Sequence, residues 1–224
     1  MGLFIAIEGG DGSGKGTQTK LLVEHYRKAG KDVLEVDFPQ YGQDSALYVT
    51  RYLNGEYGAA DDVPADLASL AYALDRYSAK DKIAAHLQKS DSIVIANRYV
   101  ASNMAHQGTK IADPEKRKSF YDEIQHLEFD IFGIAKPDLS IVLLVPSAIS
   151  QANVDKKVAR IYTSAKRDIH EIDINHLERA KANYEEICIH YPADFTSIVC
   201  VDRNENMTPI DDVQRQIRAQ LSDA

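Results

Sequence analysis

The run Gly9-Gly10-Asp11-Gly12-Ser13-Gly14-Lys15-Gly16-Thr17 has the residue types and spacing that hold a triphosphate. Glycines let the backbone curl, so that several N–H groups aim at one oxyanion. A helix starting at the end of the loop adds positive potential at the same place. Lys15 can then reach the outer phosphates as a point charge. The loop follows an apolar segment, Leu3 to Ile7, and precedes a helix-like one, Gln18 to Ala29. Gly16 stands where Ser or Thr normally follows the lysine, and Thr17 is the nearest hydroxyl. That weakens direct hydroxyl ligation of Mg²⁺ without weakening the phosphate cradle.

Other candidates carry two readings each. Asp11, repelled by phosphates beside it, suits a sugar hydroxyl of a second substrate, or it shapes the turn. Tyr72 and Arg76 are four apart on one helix face, fit for stacking and hydrogen-bonding a flat heterocycle. Helical spacing alone favours a core position for Tyr72. Arg98, just past an apolar strand, reads as a phosphate fork or as half of a structural ion pair. Lys156 to Arg160 and Lys166-Arg167-Asp168 flank a polar insert that reads as a cationic flap closing over phosphates, or as a solvated charged helix. His106 is the one histidine placed to line a pocket, and His170 suits a helix cap.

Five apolar runs must position these residues: Leu3–Ile7, Val33–Val36, Ser92–Ala96, Leu139–Val145 and Ser197–Val201. Several are continuous, as expected of strands covered on both faces. Between them lie helical patterns. Leu67, Leu70, Ala71, Leu74 and Tyr77 form a stripe after Pro64. Asp113-Pro114-Glu115 opens a helix carrying Phe120, Tyr121, Ile124 and Leu127. Leu177, Ala180, Tyr184, Ile187 and Cys188 form another stripe, and Thr208-Pro209 opens a last helix with Val213, Ile217 and Leu221. This alternation predicts an α/β fold with a parallel sheet and right-handed crossovers. The loop, Asp37-Phe38-Pro39-Gln40 and Asn97-Arg98-Tyr99 then sit at the carboxyl ends of the first three strands, where open α/β sheets bind ligands.

The chain of 224 residues has length for one domain, residues 1–224. A net charge of −8 without a long basic run disfavours nucleic acid and acidic membranes. Cys188 and Cys200 lack metal spacing and read as reduced core thiols of a cytoplasmic protein. Met1 runs straight into the first strand, so no secretory signal is expected. The longest apolar run, Leu139 to Val145, is too short to span a bilayer.

These residues resemble the thymidylate kinases, within the nucleoside monophosphate kinases, over nearly the whole chain. The resemblance rests on Glu8 to Gln18, Phe38-Pro39, Arg51 to Gly58, Tyr72-Ala73-Leu74-Asp75-Arg76, and Asn97-Arg98-Tyr99 with Ser102 and Gln107-Gly108. Pro137-Asp138-Leu139 and Lys166 to Glu171 complete it. The loop alone is widespread; the ordered set is specific. The resemblance implies a P-loop kinase three-layer sandwich, a central parallel five-stranded sheet flanked by helices with a small lid at about 156–170. It implies ATP-dependent phosphorylation of thymidine monophosphate (dTMP) to the diphosphate, with Mg²⁺, in a cytoplasmic homodimer. Gly10, Asp11, Gly12, Ser13, Gly14, Lys15, Gly16 and Thr17 would hold the ATP phosphates, and Asp11 the acceptor's 3′-hydroxyl. Tyr72 would stack on thymine, Arg76 bond its carbonyl, and Arg98 grip the acceptor phosphate. Phe38, Arg51, Ser102, Asn103 and Gln107 complete the acceptor set, and Thr17 and Asn97 would face the metal, Asn97 through water.

Several positions depart from the family pattern. Gly12 stands where some members carry a loop arginine, which points to the lid for the catalytic cation: Arg160, Lys166 or Arg167. Gln40 and Tyr41 occupy the places of an arginine after Phe-Pro. Asn97 replaces the Asp that usually precedes the arginine, removing a charge that organises Mg²⁺ and its waters. Gly16-Thr17 resembles the adenylate kinase form of the loop. Reduced activity or a shifted acceptor preference is expected unless Arg51 compensates. The alternatives are another deoxynucleotide or deoxynucleoside kinase, and a nucleotide-binding regulator with little catalysis.

Overall fold

A computed structural model describes residues 2–155 and 174–221. Its centre is a five-stranded sheet in the order β2-β3-β1-β4-β5, every pairing parallel. The strands are β1 (Leu3–Gly9), β2 (Asp32–Asp37), β3 (Ser92–Asn97), β4 (Leu139–Leu144) and β5 (Phe195–Val199). The helices are α1 (Lys15–Lys28), α2 (Leu47–Leu53), α3 (Ala65–Ser78), α4 (Lys80–Leu87), α5 (Val100–Gly108), α6 (Pro114–Gln125), α7 (Ser147–Asp155), α8 (Ile174–His190) and α9 (Ile210–Gln220). A π-helical turn, His126–Ile131, continues α6.

Alternation along the strands sorts the core into two halves. Phe4, Ala6, Val94, Ala96 and Val142 pack against Met104, Ala105, Tyr121, Tyr184 and Ile187 of α5, α6 and α8. Ile5, Ile7, Ile93, Ile95 and Ile141 pack on the other side against Leu22, Val23, Val213 and Ile217 of α1 and α9. Three layers result, which is the expected α/β sandwich. The Asp113 side chain caps α6 by accepting from the Lys116 N–H at 2.9 Å, with Pro114 in the first turn.

Two expectations are corrected. The last strand lies at Phe195–Val199, two residues before the apolar run Ser197–Val201, because Cys200 and Val201 lead into a turn closed by a Val201–Met207 bridge. In α3 the helical spacing is right but the face is reversed. Leu67 (62% exposed), Leu70, Leu74 and Tyr77 point outward, while Ala68, Ser69, Ala73, Asp75 and Arg76 are buried. Buried polar partners, described below, draw that polar face inward. Both cysteines are free; Cys200 is buried, Cys188 packs at the core edge, and burial pushes both thiols up to about 11.

Candidate active site

The glycine-rich turn joins the end of β1 to the start of α1. Gly14 caps that helix in the left-handed conformation, φ 90°. Gly12 has φ 77°, and a Cβ there would lie 2.2 Å from the Ser150 carbonyl oxygen of α7. Only glycine allows that approach. Asn153 Nδ2, also on α7, donates to the Gly12 carbonyl at 3.0 Å, so the helix after β4 braces the loop. Lys15 Nζ donates to the Gly10 carbonyl at 2.6 Å, holding the ammonium over the curl. Ser13 Oγ is buried with no hydrogen-bond partner. An anion seated in the loop would accept from it. Residues Asp11 to Gln18 line an open cleft of about 570 Å³ with Asn97, Arg98 and Asn153. Cys200, Met207, Thr208 and Ile210 form its side wall. Gln18 Nε2 donates to the Ile210 carbonyl at 3.0 Å and ties that wall to α1.

Arg98 follows β3 with φ 65°, a conformation rare for a side-chain-bearing residue and frequent at functional sites. Its N–H donates to the Ile7 carbonyl at 2.9 Å, which pins the turn to β1. The fork then spans the site. Nη2 donates to Asp11 Oδ1 at 2.5 Å, and Nη1 donates to the Gly9 carbonyl at 3.3 Å and to Ser102 Oγ at 3.2 Å. Burial opposes the charge on Arg98, but Asp11, Tyr184 and Glu8 outweigh it and raise the guanidinium above its ordinary pKa. Beneath lies Glu8, fully buried, accepting from the Tyr99 N–H at 2.9 Å and from Ser102 Oγ at 2.6 Å. Burial pushes the Glu8 carboxyl up, against the Ser102 bond and Arg98. Ser102 Oγ also meets Tyr184 Oη at 2.9 Å. His106 Nε2 lies 3.4 Å from Arg98 Nη1, and burial, Arg98 and His176 lower its pKa well below the ordinary value. The fork is therefore held charged, and the neighbouring imidazole neutral, at neutral pH.

Facing this clamp, α3 and α5 pack together. Tyr72 packs edge-on to Tyr52, ring centroids 6.3 Å apart, beside the small cluster of Val49, Leu53 and Ala68. Phe38 is buried against Tyr99, centroids 5.7 Å apart. Asn103 Nδ2 donates to the Ser69 carbonyl at 3.1 Å and to Glu128 at 3.2 Å, which leaves its Oδ1 buried without a partner. Gln107 accepts from Tyr52 Oη at 3.4 Å, and its Nε2 is likewise unpartnered.

Two sequence expectations, for Arg76 and Arg51, are corrected here. Arg76 does not present a free fork: Nε and Nη2 donate to Glu128 at 2.5 and 2.6 Å, and the pair is buried. Gln40, in the place of the arginine, turns into the fold. Its Nε2 donates to Asp75 and Ser78, and its N–H donates to Asp75 Oδ2 at 2.8 Å. Arg51 is not brought to the clamp; it is exposed on α2 and paired with Glu56 at 3.7 Å. Arg160, Lys166 and Arg167 lie outside the described residues.

A family model described as thymidylate kinase matches residues 7–217. The chain belongs to the thymidylate kinase family. It is 34% identical over 191 residues to a thymidylate kinase of Mycobacterium tuberculosis, an alignment covering 83% of this chain and 85% of the relative. It is 26% identical over 219 residues to the thymidylate kinase of Pediococcus pentosaceus, covering 96% and 95%. The solved thymidylate kinase of Candida albicans shares the fold, with a TM-score of 0.71 at 22% identity over 99% of this chain and 91% of that one. That of Ehrlichia chaffeensis gives 0.66 at 22% identity, covering 98% of each chain. As a thymidylate kinase family member the chain is a nucleoside monophosphate kinase, a phosphotransferase with ATP as donor.

Among the described residues no three His, Cys, Asp or Glu side chains cluster to hold a metal, and no helix is long and apolar enough to cross a membrane. Mg²⁺ suits such a place, because it keeps most of its waters and takes phosphate oxygens beside one or two protein oxygens. The oxygens at hand are the exposed Thr17 hydroxyl, the Asp37 carboxylate and Asn97 Oδ1, which is buried and unpartnered. The donor set fits the ion.

Sequence reasoning assigned no role to Glu8, Tyr184, Asn153 or Glu128. Glu8 had a readable signal: a carboxylate ending an otherwise apolar strand just before the loop. The others left none, since each acts on a residue more than fifty positions away.

Proposed function

We propose that the cleft and the clamp are the two halves of one site, transferring the terminal phosphoryl of ATP to dTMP. The observation that carries this reading is Arg98, whose fork reaches from the loop carbonyl of Gly9 to Asp11 and so stands between donor and acceptor. The donor phosphates take the amides from Gly10 to Thr17, the unpartnered Ser13 hydroxyl and the Lys15 ammonium. The donor base rests against Cys200, Met207 and Thr208. The acceptor phosphate takes the Arg98 fork, its 3′-hydroxyl takes Asp11, and its base lies by Tyr72, with the free oxygen of Asn103 and free nitrogen of Gln107 nearby. Phe38 walls the acceptor side, and Ser102 orients Arg98. Arg76 acts from behind, fixing α3 to the π-helical turn through Glu128. Arg160, Lys166 and Arg167, outside the described residues, remain the candidates for a further cation at the transferring group.

The acceptor phosphate is itself the nucleophile, so no general base is needed. What the residues supply is in-line placement and fixed positive charge. When bound, Mg²⁺ would be held at Thr17 and at Asn97 through water, and would neutralise part of the charge on the donor phosphates. The chain works as one domain, in the cytoplasm. It pairs with itself, and the outward stripe of Leu67, Leu70, Leu74 and Tyr77 supports that reading. The test is coupled ADP release over thymidine, deoxyuridine, adenosine and cytidine monophosphates. Thymidine monophosphate should give the highest kcat/KM; no ADP with any acceptor refutes the reading.

A further inference from the structure

Asp37 and Asn97 are the last residues of β2 and β3, directly opposite in the parallel register. Asn97 Nδ2 donates to Asp37 Oδ1 at 3.0 Å, which leaves the Asn97 oxygen buried without a partner. Asn97 lines the cleft at the start of α1, and a Cβ on Gly16 would lie 4.0 Å from its Nδ2. Asp37 is exposed at the edge of the same site. Its side chain meets solvent, yet desolvation between the strand ends pushes its carboxyl up; the Asn97 bond, Arg98 and Lys15 oppose this, so both phosphate-facing cations feel its charge.

Position 97, on the strand beside the loop, is neutral. Two carboxylates at this separation would share a proton, and one of them would be silent. An Asp–Asn pair keeps one full charge and fixes it with a hydrogen bond. We propose that Asp37, one strand over, supplies the acidic group that orients metal-bound water at the donor phosphates, with Asn97 as its clamp. Asp37 is thus a positioning residue for the metal–triphosphate unit. The inference rests on the phosphoryl-transfer reading above. A purely structural Asp37–Asn97 tie would join two strand ends and leave metal coupling untouched.

The experiment measures, by calorimetry on the full chain, the ratio of affinities for MgATP and for ATP in EDTA, with Mn²⁺ paramagnetic resonance as a direct count of bound metal. In wild type, metal should tighten ATP binding. Asp37→Asn should cut that ratio about tenfold or more, the usual effect of losing an outer-shell partner. Its metal-free affinity for ATP should be unchanged or stronger, because a negative charge near the phosphates is gone. The swap Asp37→Asn with Asn97→Asp should restore the ratio to within about threefold of wild type, since the outer-shell charge returns one strand over. A wild-type ratio in Asp37→Asn, or no recovery in the swap, overturns the inference while leaving the function intact. Failure of wild type to bind ATP with or without metal overturns both. Thermal melts of the three proteins check that each is folded before its ratio is read.

Discussion

Glu128→Gln isolates the ion pair behind the acceptor pocket. The side chains of Arg76 and Glu128 are only 2% and 0% exposed. Glu128 accepts from Arg76 Nε, Arg76 Nη2 and Asn103 Nδ2. An amide keeps the shape but removes the charge, and it turns one acceptor into an NH₂ facing an N–H. Arg76 is then a buried cation without a counter-charge. Breaking a buried pair from one side costs about 3–5 kcal/mol. Against a total stability of about 5–15 kcal/mol this is a large share. In a chain of this size it lowers Tm by about 6–20 °C. Adding Arg76→Met removes the stranded charge, while the new amide oxygen still accepts from Asn103. The double variant should recover to within about 1 kcal/mol of wild type, the scale of one hydrogen bond. Urea unfolding followed by circular dichroism measures all three. A single variant within about 1 kcal/mol of wild type, or a double variant below the single, would refute the reasoning.

Lys15→Ala and Arg98→Ala should each lower kcat by about a hundredfold or more by the ADP-release assay, with circular dichroism to check that the protein assayed is folded. Near-normal turnover in either counts against the assigned roles. Gly12→Ala forces a Cβ onto the Ser150 carbonyl at φ 77°; backbone strain alone costs about 1–3 kcal/mol, and ATP affinity should fall in calorimetry. Arg51→Ala should change kcat/KM less than about twofold, because an exposed pair such as Arg51–Glu56 contributes little. Burial first, then Arg98 and His176, hold His106 below its ordinary 6.5, so the unfolded chain takes up that proton first as pH falls. Stability from His106 is full above about 6.5 and is lost below it, by up to about 1.4 kcal/mol per pH unit until the folded pKa is reached. His106→Gln should remove that slope from urea titrations between about pH 6.5 and 5. Glu8 and Asp37, both raised, pull the other way in both proteins and cancel in the difference.

The strands and the loop were legible because each is a local pattern: continuous apolar runs, then glycines and a lysine before a helix. What stayed hidden depends on distant partners. Arg76 meets Glu128 across 52 residues, and Gln40 meets Asp75 across 35. No spacing rule announces either pairing, so Arg76 looked available for substrate and the orientation of Gln40 stayed open. Helix α5 was missed for another reason. All nine of its residues are buried, so it shows no polar face and no stripe. It nevertheless carries Ser102, Asn103, His106 and Gln107. On α3 the stripe was visible, but periodicity cannot say which side of a helix faces the sheet.

The sheet order sets how this molecule would fail. β1, which grows into the phosphate loop, is held by β3 on one side and β4 on the other, whereas β2 is an edge strand with one neighbour and a single buried residue, Val36. Edges give way before centres. Mild heat or denaturant would therefore erode the margin that carries Asp37 and Phe38 while the glycine turn still stood. The surviving species would still cradle a triphosphate, without the metal's tightening, and have nowhere to send it.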